Sequence, residues 1–415
     1  MAATKPTDLL VVGGGMIGLA VAWRARQRGL GVTVLERDAT GQGTSRVAAG
    51  MIAPVAEVEF GGAGRRLLEL GMRSAALWPG FAQELCERSG LDVGLRRTGT
   101  LLIAADADDA AELERQLEFR RSLGLDVRRL APSAARELEP ALAPVLRMAL
   151  EVPDDHAVDP RRVVAALRAA CEVEGVVLRE GAEVNGVELE GGRVRGVTLN
   201  DELVAAESVL LATGPWSGSI DWLPDEARLP VRPVKGQILQ LRDPAGPGLL
   251  ERVIRYSGGY LVPRGDGRYV LGATVEERGF ELGATAGGVY ELLRDGHELL
   301  PGIAELEIEE LATGLRPGTP DNLPAIGRAP IEGLLWATGH HRNGILLAPL
   351  TAELIVAVLD GDSGRGGGRD SDGDHAGQAD FARPGANGMG ELLASCDPLR
   401  LGGAPEPARA QAAAL

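Results

Sequence analysis

The chain has 415 residues, 45% of them hydrophobic, which is too much for one small core and suits two. Its 59 acidic against 43 basic residues give a formal net charge of -16, a field that repels polyanions and so argues against nucleic-acid and anionic-membrane partners. Three cysteines, Cys86, Cys171 and Cys396, stand far apart without CxxC spacing, which excludes a disulfide framework or a zinc site and fits a reducing cytoplasm.

Residues 9–23 are apolar, but no basic segment precedes them and three glycines interrupt them, so they do not read as a signal peptide. Asp8-Leu9-Leu10-Val11-Val12 predicts a buried strand, followed by a glycine turn and a helix over 16–28. Val32-Thr33-Val34-Leu35-Glu36 is a second strand, completing the β-turn-α-β unit that builds parallel sheets. Helices are predicted over 106–122 and 159–174, the second with Asp159 as N-cap and Pro160 at its first position. That capping role explains the acidic cluster beside His156 without a metal. Short strands follow over 176–178, 183–189, 193–199 and 208–211, with Glu190-Gly191-Gly192 as a hairpin turn.

Strands then become closely spaced, at 234–241, 253–256, 260–263 and 269–273, without helices between them, which predicts an antiparallel or mixed sheet. A helix over 285–300 and a strand over 305–310 complete that unit, and 334–338, 339–344 and 345–359 read as strand, loop and helix. No other run is expected to reach membrane-spanning length, and 345–359 carries Pro349 and Glu353. The fold class is therefore α/β, a Rossmann-like nucleotide-binding domain with a parallel sheet plus an α+β domain with an antiparallel or mixed sheet. The first is assigned to 1–90, 150–220 and 330–361, the second to 91–149 and 221–329. After Gly361 the composition collapses into Gly, Asp, Ala, Arg and Pro, so 362–415 reads as a mostly disordered tail.

Gly13-Gly14-Gly15-Met16-Ile17-Gly18 satisfies GxGxxG directly after a strand and at a helix start, the context that gives the motif meaning. Gly13 permits the tight turn, Gly15 lets backbone amides approach a pyrophosphate, and Gly18 lets helix and strand pack closely. Glu36, ending the second strand, is suited to accept hydrogen bonds from a ribose diol. Two features favour FAD over NAD. A second run of small residues, 41–51, suits backbone passing along a long extended cofactor. The loop Thr338-Gly339-His340-His341-Arg342-Asn343-Gly344 precedes a helix whose positive end would face a flavin ring.

Together with Ala212-Thr213-Gly214-Pro215-Trp216, Pro233-Val234-Lys235-Gly236-Gln237 and Gly314-Leu315-Arg316-Pro317-Gly318, these segments resemble, in order, the FAD-dependent D-amino-acid oxidase family over residues 8–361. The resemblance implies noncovalent FAD held by Gly13, Gly15, Met16, Ile17, Gly18, Glu36, Arg37, Thr44, Ser45, Ala49, Gly50, Met51, Val184, Thr213, Gly214, Trp216, His341, Arg342, Asn343, Gly344, Ile345 and Leu346. It also implies Arg316 on the substrate carboxylate, Tyr260 lining the pocket and Arg342 at its edge. The alternatives are an ordinary ion-pair arginine, a core tyrosine and an exposed arginine. Val275 stands where the family's glycine-oxidising branch carries a methionine.

The implied reaction is oxidation of glycine, sarcosine or a small D-amino acid to its imine, with dioxygen reduced to hydrogen peroxide and the imine supplied to the thiazole of thiamine. The resemblance implies hydride transfer without an enzymic base, so His340 and His341 are not assigned that role. The alternatives are a sarcosine, D-proline or general D-amino-acid oxidase and a quinone-linked D-amino-acid dehydrogenase. The resemblance further implies a cytoplasmic homo-oligomer, commonly a tetramer.

Overall fold

The computed structural model describes residues 7–200, 202–362 and 386–402. Strand Thr7–Val12 runs through the centre of an eight-stranded sheet, parallel to both Val32–Leu35 and Glu202–Leu211. That position explains its apolar run, because helices cover the face carrying Leu9 and Val11, while Val194, Val197 and the 220–231 segment cover the face carrying Leu10 and Val12. Val177–Arg179 extends the sheet beyond Val32–Leu35, and Leu334–Thr338 lies parallel on the far side of Glu202–Leu211. Gly186–Glu190 and Arg193–Leu199 form the expected antiparallel hairpin, which hangs from Glu202–Leu211.

Helices Met16–Gln27, Gly62–Ser89, Pro160–Glu174 and Gly344–Asp362 share one core, in which Leu19, Trp23, Leu85, Leu167, Leu347 and Ile355 meet. Asp159 caps its helix as expected, accepting the Arg161 N–H at 3.0 Å. The 28-residue helix Gly62–Ser89 is absent from the elements read in the sequence. Gly71 lets it sit close to its neighbour, since a Cβ there would lie 2.9 Å from Pro54 and 3.2 Å from Leu346.

The second sheet also has eight strands. Arg232–Arg242 is flanked antiparallel by Glu307–Gly318 and Arg268–Gly272, and the sheet continues through Gly259–Pro263, Val253–Tyr256, Thr100–Ala104, Met148–Val152 and Arg128–Leu130. Val253–Tyr256 pairs parallel with Thr100–Ala104, so the sheet is mixed. The strand expected at 305–310 extends to Gly318, which sets Arg316 opposite Val234.

Three expectations are corrected. Ala325–Arg328, within the segment assigned to the second sheet, pairs with Leu334–Thr338 in the first. Part of the tail is folded, with Ala386–Cys396 a helix whose Leu392 and Cys396 are buried in the first core. Arg400 then grips Asp321 through Nε at 2.9 Å and donates to the Leu323 carbonyl at 2.7 Å. The apolar spacing of Met389, Leu392, Leu393 and Cys396 explains this packing; the rest of the tail assignment falls outside the described residues. Lastly, Gly344–Gly361 is long and apolar enough to cross a membrane by length and composition. Here it is a core helix, with Leu347, Ala348, Ala352, Leu354 and Ile355 all buried.

Candidate active site

A cavity of about 520 Å³ is walled by both sheets, with Val12, Leu35, Ala212 and Thr338 from the first and Ile238, Tyr260, Gly314 and Arg316 from the second. At one end lies the glycine turn. Gly13 has a φ of +112°, and a Cβ there would meet the Ala212 carbonyl oxygen at 2.5 Å. A Cβ on Gly18 would come within 1.9 Å of the Gly13 carbonyl oxygen, so helix and turn could not close together. The Met16–Gln27 helix starts at Gly15 without a side-chain cap, and the Met16 N–H donates to Ser45 Oγ at 3.0 Å. The helix end therefore offers its positive dipole and backbone donors to the cavity.

Glu36 is held by that same turn, its carboxylate accepting the Gly14 N–H at 2.7 Å and the Asp38 N–H at 3.0 Å. Next to it the Arg37 guanidinium lies 4.7 Å from the Trp216 ring centre, a flat cation–π wall beside the acid. Val184, Thr213 and Gly214 continue this lining. The glycine cradle, the uncapped helix and the acid–aromatic end fit FAD: the turn would hold its pyrophosphate, and Glu36 and Trp216 its adenosine portion. No cysteine lines the cavity among the described residues.

The opposite end is built by Glu307–Gly318 and the loop entering Gly344–Asp362. Gly318 bridges His340, and the His341 N–H donates to the Pro317 carbonyl at 2.9 Å, which fastens this loop to the strand bearing Arg316. Burial pushes the His340 imidazole down to about 3, and its Nε2 shares a hydrogen bond with Thr351 at 2.9 Å. Burial, then Arg342 and Arg316, push His341 down to about 4. Both rings are neutral near neutrality. Gly344 and Ile345 put the start of the following helix at the cavity wall.

Arg316 Nη1 donates to the carbonyls of Lys235 at 3.3 Å and Thr274 at 3.2 Å, and no carboxylate is within ion-pair distance of it among the described residues. Its remaining donors are available to the cavity. Gly236 makes this pose possible, because a Cβ there would lie 2.6 Å from both Nη atoms. Tyr260 lines the same wall; burial raises its phenol while Arg316 opposes the shift. Arg342 reaches the edge and pairs with Glu59 at 2.7 Å. Neither the ordinary ion pair for Arg316 nor a purely core Tyr260 describes these positions.

Of the residues expected to hold FAD, all line the cavity except Gly18, Asn343 and Leu346. Gly18 lies behind the turn, where its role is packing. Leu346 faces away, its carbonyl accepting from Ser74 at 2.6 Å and Trp78 at 3.0 Å. The Asn343 N–H closes a turn onto the His340 carbonyl at 2.8 Å. Val275 is 67% exposed and outside the lining, so it does not set the cavity width. Sequence reasoning missed Glu57 and Ile238, which no motif marks, gave Gly236 no role within its Pro233–Gln237 segment, and read His340 only as a rejected base.

A family model described as FAD dependent oxidoreductase, DAO, matches residues 8–358. The glycine oxidase of Geobacillus kaustophilus is 36% identical over 86% of this chain and 94% of that protein. The crystal structure of the Geobacillus kaustophilus enzyme superposes with a TM-score of 0.80 at 35% identity, covering 86% of this chain and 95% of that one. The bifunctional protein ThiO/ThiG of a Synechocystis species is 38% identical over 85% of this chain, which spans about half of that protein, 51%.

Proposed function

The chain belongs to the DAO family of FAD-dependent oxidoreductases, and from that premise we propose that it oxidises glycine, producing the imine and hydrogen peroxide. The observation that carries this reading is the unpaired Arg316 guanidinium, fixed by two carbonyls at the end of the cavity away from the glycine turn. A planar fork of donors suits a carboxylate, which it binds bidentately.

FAD, when bound, supplies a two-electron acceptor that dioxygen reoxidises. The chain's own contribution is placement. Arg316 fixes the carboxylate end of the substrate, so the adjacent Cα–H has one orientation. Tyr260 and Ile238 close the wall beside it. His340 and His341 are neutral there, so neither ring adds a positive charge that would repel the substrate's ammonium form. The likeness to relatives named glycine oxidase and ThiO/ThiG supports glycine as substrate and the thiazole of thiamine as the destination of the imine.

The test is peroxide formation by purified holoenzyme across glycine, sarcosine, D-proline and D-alanine, repeated on Arg316→Ala. Glycine turnover with kcat/KM falling about 10²–10⁴-fold in the variant supports the reading, as loss of a buried charged pair of about 3–5 kcal/mol requires. An unchanged KM removes the carboxylate role. A cytoplasmic homo-oligomer is part of the same proposal. Three free cysteines and the exposed Ile308 and Leu311 on the edge strand Glu307–Gly318 support it, and sedimentation tests the assembly.

A further inference from the structure

Glu57 is a carboxylate that neither the sequence motifs nor the site as described above accounts for. It lines the cavity, its side chain is 11% exposed, and its Oε1 accepts from Arg255 Nη1 at 2.5 Å. Its Oε2 takes no hydrogen bond among the described residues. Arg255 lies directly across the ladder from Tyr260, so the two side chains leave the same face of the sheet. The pair is therefore held over the face that carries the substrate wall, and the field of Glu57 reaches both the Tyr260 phenol and the His341 ring.

The backbone that presents Glu57 is fixed from two sides. Asp155, fully buried, accepts the N–H groups of Val55 at 3.2 Å and Ala56 at 2.5 Å. Arg120, 1% exposed, donates from Nε to the Val55 carbonyl and from Nη2 to the Ala56 carbonyl, each at 2.9 Å. All four polar groups of these two peptides are thus committed to a buried acid and a buried base. Glu57 comes next, its own N–H donating to the Ala53 carbonyl at 3.1 Å. Asp155 and Arg120 are positioning residues for it.

An amino acid carries a carboxylate at one end and nitrogen-bound donors at the other. The cavity offers an unpaired guanidinium, Arg316, and a half-engaged carboxylate, Glu57. We propose that Glu57 is the amine-recognition residue, accepting an N–H of the substrate amine on Oε2 while Arg316 holds the carboxylate. The same charge repels amino acids whose side chain is itself anionic. This rests on the reading of the chain as an amino acid oxidase.

The test uses holoenzyme carrying Glu57→Gln, which keeps the side-chain shape, with Glu57→Asp as a second variant in case the first folds poorly. Loss of one hydrogen bond to a charged acceptor is expected to raise the glycine KM by about 10- to 100-fold. The kcat at saturation should stay within about threefold. Binding of glycolate, a carboxylate without an amine, read from the flavin absorption spectrum, should be unchanged, and D-aspartate should improve relative to glycine. Glycine and glycolate weakening together would reduce Glu57 to a support for Arg255 and overturn the proposal, as would an unchanged glycine KM. A wild-type enzyme that binds glycolate but oxidises no amino acid would overturn the oxidase reading itself.

Discussion

Gly236→Ala adds one methyl group at a residue that performs no chemistry, and it should damage turnover nearly as much as removing a binding side chain. The added Cβ would lie 2.6 Å from Nη1 and Nη2 of Arg316 and 2.8 Å from Cζ. Ordinary contacts of this kind fall near 3.5–4 Å, so the guanidinium must withdraw by about 1 Å. Doing so breaks its 3.3 and 3.2 Å bonds to the Lys235 and Thr274 carbonyls and moves the fork away from the bound carboxylate. A displacement of about 1 Å lowers rates on the order of 10²-fold. Gly236 lacks a left-handed φ and sits in a strand, so alanine is acceptable to the backbone itself. Flavin content should therefore stay near wild type while kcat/KM for glycine, from initial peroxide rates, falls about 100-fold. A fall of less than threefold would mean that Arg316 does not need this pose, and the carboxylate assignment would lose its structural basis.

Gly18→Ala places a Cβ 1.9 Å from the Gly13 carbonyl oxygen, a clash with backbone that no rotamer relieves, so the protein should purify with little flavin absorbance per chain. Arg400→Ala removes the grip on Asp321, itself about a third exposed; stability should fall by about 1 kcal/mol and Tm by roughly 1–2 °C, measured by calorimetry on holoenzyme. Two groups give opposite pH dependences. Burial pushes Asp155 up to about 7, so the folded state holds a proton that the unfolded state releases, and stability falls as pH rises from about 4 to 7. His341 is pushed down to about 4, so its contribution is complete above 6.5 and is lost as pH falls toward 4. Against wild type, Asp155→Asn should therefore steepen the rise of Tm with pH across this window and His341→Asn should flatten it. Asparagine is chosen at 341 because φ there is +46°. Identical profiles would contradict both shifts.

The nucleotide half of the molecule was legible because its signals are local. The glycine turn, the acid at the end of the second strand and the Asp159-Pro160 helix start each act within a few residues, and each forms where the sequence puts it. Gly62–Ser89 was not read, since Gly71, Pro79 and Gly80 interrupt any helical pattern. These breakers are tolerated because the helix is stabilised by tertiary packing: Trp78 is buried and donates to the Leu346 carbonyl, and Gly71 allows close contact with Pro54. The tail helix was obscured for the opposite reason. Its four apolar residues are too few to form a core of their own and gain order only against the finished first core.

The substrate end is harder to read for a physical reason that Glu57 illustrates. Arg316, Arg255, Tyr260 and Glu57 come from four segments, and their relation is set by strand register and by two buried side chains, Asp155 and Arg120, that bind backbone. Each of these residues alone has an ordinary surface or core reading, and the sequence holds no spacing that couples residue 57 to 255 or 236 to 316. Gly236 carries the point furthest. Its importance lies in the space a neighbouring strand's side chain takes up, which pairs Lys235 with Leu315 and Val234 with Arg316 before any ligand binds. A site built this way changes specificity through residues that perform no chemistry, so Gly236, Asp155 and Arg120 are places where relatives with the same motifs can differ in what they oxidise.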